Sequence, residues 1–178
     1  MATVEHKDLT DPDLHEPAGI STANENELYI SDGVGSGAWG KIPYACLKYL
    51  NIGTGSTVTT PTSYTIINPT TVQYGGISDF SHSGSCSFQH IGSTTRDILV
   101  TVSAAFVCSA TDIYFAVYNE GVYQAVTETV VRGIATTYNH IALQGVITCA
   151  PNDHITVYVR AATGNVVIHE LTMVLRGM

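Results

Sequence analysis

Ala150-Pro151-Asn152-Asp153-His154-Ile155-Thr156-Val157-Tyr158-Val159-Arg160 is the stretch on which the fold turns. Pro-Asn-Asp is turn chemistry, because proline presets one backbone angle and Asn and Asp side chains bond the nearby main chain. From Ile155 the odd positions are apolar and the even ones carry a polar group, the period of two of a strand with one buried face. Ile155, Val157 and Val159 are therefore expected in a core, and Thr156, Tyr158 and Arg160 on the opposite face.

The same signal extends in both directions. Ser85 to Ile91, Asp97 to Cys108, Asp112 to Tyr118, Val122 to Val131, Tyr138 to Cys149 and Val166 to Leu175 are rich in β-branched or aromatic residues, and several alternate. Asn119-Glu120-Gly121 and Thr163-Gly164-Asn165 supply turns between neighbours. Upstream, Asn51 to Gly76 is loaded with Thr, Ser and Gly, with Ser63 to Ile67 as its clearest strand. No window carries the period of an amphipathic helix longer than a turn or two, and no 20 to 50 residue repeat suggests a propeller or solenoid. The pattern predicts an all-β sandwich of the jelly-roll or immunoglobulin kind.

Residues 1 to 27 lack any apolar period and include Pro12 and Pro17. They read as an extended arm. Leu28-Tyr29-Ile30 is a short strand candidate, after which Gly33, Gly35 and Gly37 are expected to keep the next segment irregular. Residues 1 to 40 hold eight acids and one base, whereas from residue 41 seven acids face six bases. The step in charge separates an acidic N-terminal arm, residues 1 to 44, from a nearly neutral body, residues 45 to 178.

A chain of 178 residues accommodates one core plus such an arm. Charged residues make up 12 % against 44 % hydrophobic, a balance that favours folding over disorder. The net charge of −8 opposes a phosphate-neutralising surface, so nucleic-acid binding is not expected. The first residues lack a secretory core and no run approaches a membrane span, so a soluble protein made in a cytosol is expected. Cys46, Cys86, Cys108 and Cys149 have neither zinc-knuckle nor disulfide-scaffold spacing. They are expected to be free thiols, with Cys108 and Cys149 buried.

Three strings invite a chemical reading. Gly35 to Lys41 matches a phosphate-binding loop through its lysine, but Ile42 stands where a hydroxyl must hold magnesium and Pro43 obstructs the helix that should follow. The pair of imidazoles and three carboxylates in His6, Asp8, Asp11, Asp13 and His15 has donors for a divalent cation, yet lacks the turn glycine and closing glutamate of a calcium loop. It reads better as a docking peptide with Leu9 and Leu14 as apolar anchors. Ser81-His82-Ser83 sets nucleophile beside base, but no strained strand-to-helix elbow surrounds it. No catalytic set and no cofactor site emerge, and an enzyme is not expected. Glu170, inside the last apolar strand, suits either a solvent-facing position or a polar layer between subunits.

The string His6 to Pro17, followed by Leu28 to Trp39, resembles the N-terminal segment of virion structural proteins of tailed bacteriophages, among them capsid-decorating and head-fibre proteins. From about residue 45 the chain resembles the trimeric jelly roll of the tumour necrosis factor and complement globular-head type. The hairpin Tyr114 to Gly121, the turn and strand Ala150 to Val159, and the closing strand ending in Leu171 to Leu175 carry that likeness. Together they imply a structural accessory protein of a virion, assembled in the host cytoplasm. The arm would dock on the major capsid protein or another virion protein through His6, Asp8, Leu9, Asp11, Asp13, Leu14 and His15. The body would form a homotrimeric knob, with Thr156, Tyr158 and Arg160 at the trimer interface. The alternative the resemblance leaves open is a receptor-binding or host-adhesion tail-fibre module that takes a host surface glycan or protein.

Overall fold

The computed structural model describes residues 28–31, 37–40, 42–50, 56–59, 63–67, 73–109 and 111–178. They fall in two units, Met1–Ile42 and Pro43–Met178. Within the first, β1 (Leu28–Ser31) pairs antiparallel with β2 (Gly37–Gly40), Leu28 opposite Gly40. The glycines expected to keep this segment irregular thus give way to a second strand at Gly37. Pairing with β1 satisfies its backbone groups, and that requirement outweighs the low strand preference of glycine.

The second unit is an antiparallel sandwich. One sheet runs β11 (Val122–Tyr123), β10 (Asp112–Asn119), β14 (His154–Ala161), β8 (Ser87–His90) and β7 (Phe80–His82), with β12 (Thr129–Arg132) also on β10 and β5 (Thr65–Ile66) also on β14. The other runs β13 (Asn139–Cys149), β9 (Arg96–Cys108), β15 (Asn165–Gly177), β3 (Tyr44–Leu50) and β6 (Gln73–Ser78), with β4 (Ser56–Thr59) also on β15. From β8 onward the chain crosses between sheets at β9, β10, β13, β14 and β15, so sequence neighbours face one another across the core. This is a jelly roll.

Alternation builds that core. Ile155, Val157 and Val159 of β14 are fully buried, as are Ile113, Phe115 and Val117 of β10. They meet Ile98, Val100 and Phe106 of β9 and Leu171, Met173 and Leu175 of β15. Phe106 and Phe115 join the two sheets with ring centroids 5.3 Å apart. In β15 the register shifts between Ile168 and Glu170, so that Ile168 and Leu171, three apart, both face inward. The bulge is what allows a carboxylate inside this apolar strand: Glu170 is exposed.

Two expectations change. Val122 to Val131 is not one strand. Ala125–Thr127 forms a 3-10 turn, held because the Thr127 hydroxyl accepts from the Val117 N–H at 2.9 Å and donates to the Gln124 carbonyl at 2.7 Å. A side chain thereby replaces a rung of the ladder. And Tyr44, placed last in the arm, opens β3, where Ala45, Leu47 and Tyr49 are buried and Tyr44 pairs with Arg176. The expected turns are present: Glu120 (φ 49°) and Gly121 (φ 73°) close the β10–β11 hairpin, and Asn152 (φ 73°) and Gly164 (φ 75°) take the other two. All four cysteines are free thiols, with Cys86, Cys108 and Cys149 buried.

Candidate functional site

The docking residues read from the arm, His6, Asp8, Leu9, Asp11, Asp13, Leu14 and His15, lie outside the described residues. The other three sequence-derived site residues lie on the outer face of β14, and the structure treats them differently. Thr156 is removed from the surface: only 7 % exposed, it shares a 2.8 Å hydrogen bond with the hydroxyl of Ser87, its cross-strand partner on β8. The neighbouring strand covers a short side chain that a periodicity argument leaves open. Tyr158 and Arg160 remain half-exposed and enter an aromatic patch.

The register places the patch. Tyr158 sits opposite Ala116 and Arg160 opposite Tyr114. Ala116, small and wholly buried, leaves the room into which the Tyr158 ring leans toward Tyr118, with centroids 4.2 Å apart and planes at 32°. Tyr118 is the cross-strand partner of Tyr123, whose ring lies 5.7 Å away. Tyr64, just before β5, packs on both, 5.6 Å from Tyr118 and 5.7 Å from Tyr123. The Arg160 guanidinium carbon stands 3.9 Å from the Tyr114 ring centroid and 5.1 Å from that of Tyr64, cation over ring in each case. Its Nε is buried without a hydrogen-bond partner.

One carboxylate locks the tyrosines. Glu128, between the 3-10 turn and β12, accepts from Tyr123 at 2.6 Å and from Tyr64 through the same oxygen. These two hydrogen bonds, Tyr123 first, hold the Glu128 carboxyl below its usual range, with Arg160 adding to the effect. The partners respond in the opposite sense. The Tyr123 phenol is raised chiefly by its bond to Glu128, and the Tyr64 phenol strongly, chiefly by burial and then by the same carboxylate. The patch is therefore a fixed aromatic floor with an ionised acceptor and a guanidinium in it. Tyr158 and Arg160 were legible as outward residues, whereas Tyr64 and Glu128 come from segments that no short-range pattern links to β14.

The opposite sheet shows a different outer face. Its cross-strand rows read Ala142, Ser103, Thr172, Lys48, then Gln144, Thr101, Val174, Cys46, then Val146, Leu99, Arg176, Tyr44. Uncharged side chains fill its middle. At one end Ala105, Tyr138, His140, His169 and Glu170 line a depression of about 250 Å³. Along the β12 to β13 edge Val126, Ile134, Tyr138 and Val146 are exposed, Ile134 by 63 % and Val126 by 64 %.

Comparison with known proteins defines the class. No protein-family model matches the chain, and no curated protein matches it either. Among solved structures the chain is similar to the Eiger TNF of S. frugiperda, with 10 % identity, TM-score 0.54, and 76 % of this chain and 93 % of that one covered. It is also similar to the PRD1 vertex protein P5, with 12 % identity, TM-score 0.50, and 78 % and 98 % covered. The fold is the jelly roll of the tumour necrosis factor type. Among the described residues no helix is long and apolar enough to cross a membrane.

Proposed function

We propose that the chain is a non-enzymatic structural protein of a bacteriophage virion, displaying a homotrimeric jelly-roll knob and attached through its N-terminal arm. The observation that carries this reading is the fold shared with the PRD1 vertex protein P5. The arm's excess of acids suits a docking surface of opposite charge, with His6 to His15 as the contact.

For the trimer we assign a contact other than Thr156, Tyr158 and Arg160, since Thr156 is covered by Ser87 and a broader uncharged surface lies on the other sheet. The exposed apolar edge Val126, Ile134, Tyr138 and Val146 and the uncharged middle of the β13-β9-β15-β3 face are the surfaces a second and third copy would cover. Light scattering tests the assembly: a mass three times 19.0 kDa supports it, and 19.0 kDa at micromolar concentration removes it. Attachment is tested with a chain beginning at Pro43, which should remain trimeric and fail to bind particles lacking the native protein. Co-sedimentation equal to that of the full chain would move docking to the jelly roll.

The aromatic patch favours a second reading, a host-adhesion module on the same knob, because clustered Tyr and Arg are the side chains enriched at recognition surfaces. Antibody labelling of intact particles separates the two: label over the capsid supports decoration, and label confined to the tail tip supports adhesion.

A further inference from the structure

We infer that the patch of Tyr64, Tyr118, Tyr123 and Tyr158 on the outer face of β10 and β14, with Glu128 and Arg160, is a saccharide-binding site that takes the C–H face of a pyranose ring. This deepens the adhesion reading and rests on it for its biological sense, but it is a statement about the isolated knob. A pyranose has an apolar face of C–H groups and a rim of hydroxyls, each both donor and acceptor. Such a ligand needs an apolar floor with a small number of fixed polar groups at its margin. The patch supplies both. The floor is four tyrosine rings, neighbouring centroids 4.2 to 5.7 Å apart and planes inclined by 32° to 62°. At the margin stand an ionised carboxylate, which can only accept, and a guanidinium, which can only donate.

Rigidity and size select this occupant. The Tyr123 and Tyr64 hydroxyls are tied to Glu128, and Tyr118 is packed against three other rings, so little rotamer freedom remains to be lost on binding. Tyr123 is 38 % exposed and the other three rings are half-buried. Their combined open surface is on the order of a few hundred Å², enough for one or two sugar rings and short of the ~800 Å² per side of a stable protein partner. A trimeric knob would present three such sites, so millimolar single-site binding would become durable attachment to a repeating surface polysaccharide.

The test is saturation-transfer NMR on the purified full-length protein with methyl glycosides of glucose, galactose, mannose and N-acetylglucosamine, each at millimolar concentration. The expected result is transfer to the ring C–H protons of at least one of them, reduced about tenfold or more in Tyr158→Ala and in Glu128→Gln, and unchanged in Lys48→Ala on the opposite sheet. Tyr123 lies on the short edge strand β11, so Tyr123→Ala gives a folded variant should Tyr158→Ala misfold, and it should weaken transfer in the same way. No transfer from any of the four glycosides, or equal transfer in the patch variants and wild type, overturns the inference. A protein that binds no glycoside yet still decorates particles would remove the saccharide site and leave the virion reading standing.

Discussion

Tyr118 and Tyr158, on adjacent strands of one sheet but not directly opposite each other, hold their rings 4.2 Å apart because the residue facing Tyr158 is Ala116. The diagonal contact lies over Ala116, which is wholly buried. A double-mutant cycle of Tyr118→Leu and Tyr158→Leu should give a coupling of about 0.5 to 1.5 kcal/mol, read from urea unfolding midpoints at constant m-value. Additive effects would mean that the two rings only share a surface.

Glu128 makes the same face sensitive to acid. Its folded pKa is depressed, by the bonds from Tyr123 and Tyr64, so the contribution is complete above the unfolded carboxylate value of ~4.3 and is lost as pH falls from there through the lower folded value. Glu128→Gln should flatten the wild-type loss of stability in that window, measured by thermal unfolding between pH 6 and 2. An unchanged pH profile would show that the clamp does not form in solution.

Gly133 leaves no room for a methyl group. A Cβ there would lie 2.2 Å from the Sγ of Cys108, with the Thr111 carbonyl at 3.3 Å. Gly133→Ala should destabilise by ~1 to 3 kcal/mol through overpacking, and Cys108→Ala in the same chain should recover part of that loss. Chemical denaturation of the four combinations measures it, and a Gly133→Ala protein as stable as wild type would contradict the packing described.

Thiol chemistry reports on the assembly. Burial pushes Cys86 up to about 12, and burial with the nearby Asp153 and Glu120 does the same for Cys149, so neither should react at pH 8. Cys46 is half-exposed and stands in the uncharged middle row of the second sheet's outer face. If the proposed trimer forms through that face, a maleimide should label Cys46 slowly in the wild type and several-fold faster in Val146→Asp, which is expected to dissociate it. Equal rates in both would place the subunit contact elsewhere.

Strands β9, β10, β13, β14 and β15 were legible because each needs only its own alternation and a turn after it, whereas the break between β11 and β12 rests on the bond from the Val117 N–H to Thr127. Ile155, Val157 and Val159 face the core as their spacing requires, and Glu120-Gly121 turns where its composition says. Tyr44 to Leu50 carries the same period, in Ala45, Leu47 and Tyr49, so β3 too is encoded locally. The sequence by itself thus determined an all-β chain, most of its strand facings and its free thiols, since these depend on residues close in sequence. Tertiary structure alone decided the rest. Thr156 is covered because Ser87 lies 69 residues away in sequence and one strand away in space. Tyr64 and Glu128 meet because β5 joins β14 while the 3-10 turn ends beside β10. Which side chains form a patch depends on strand order and register, and those are set by long-range pairing that no local pattern encodes.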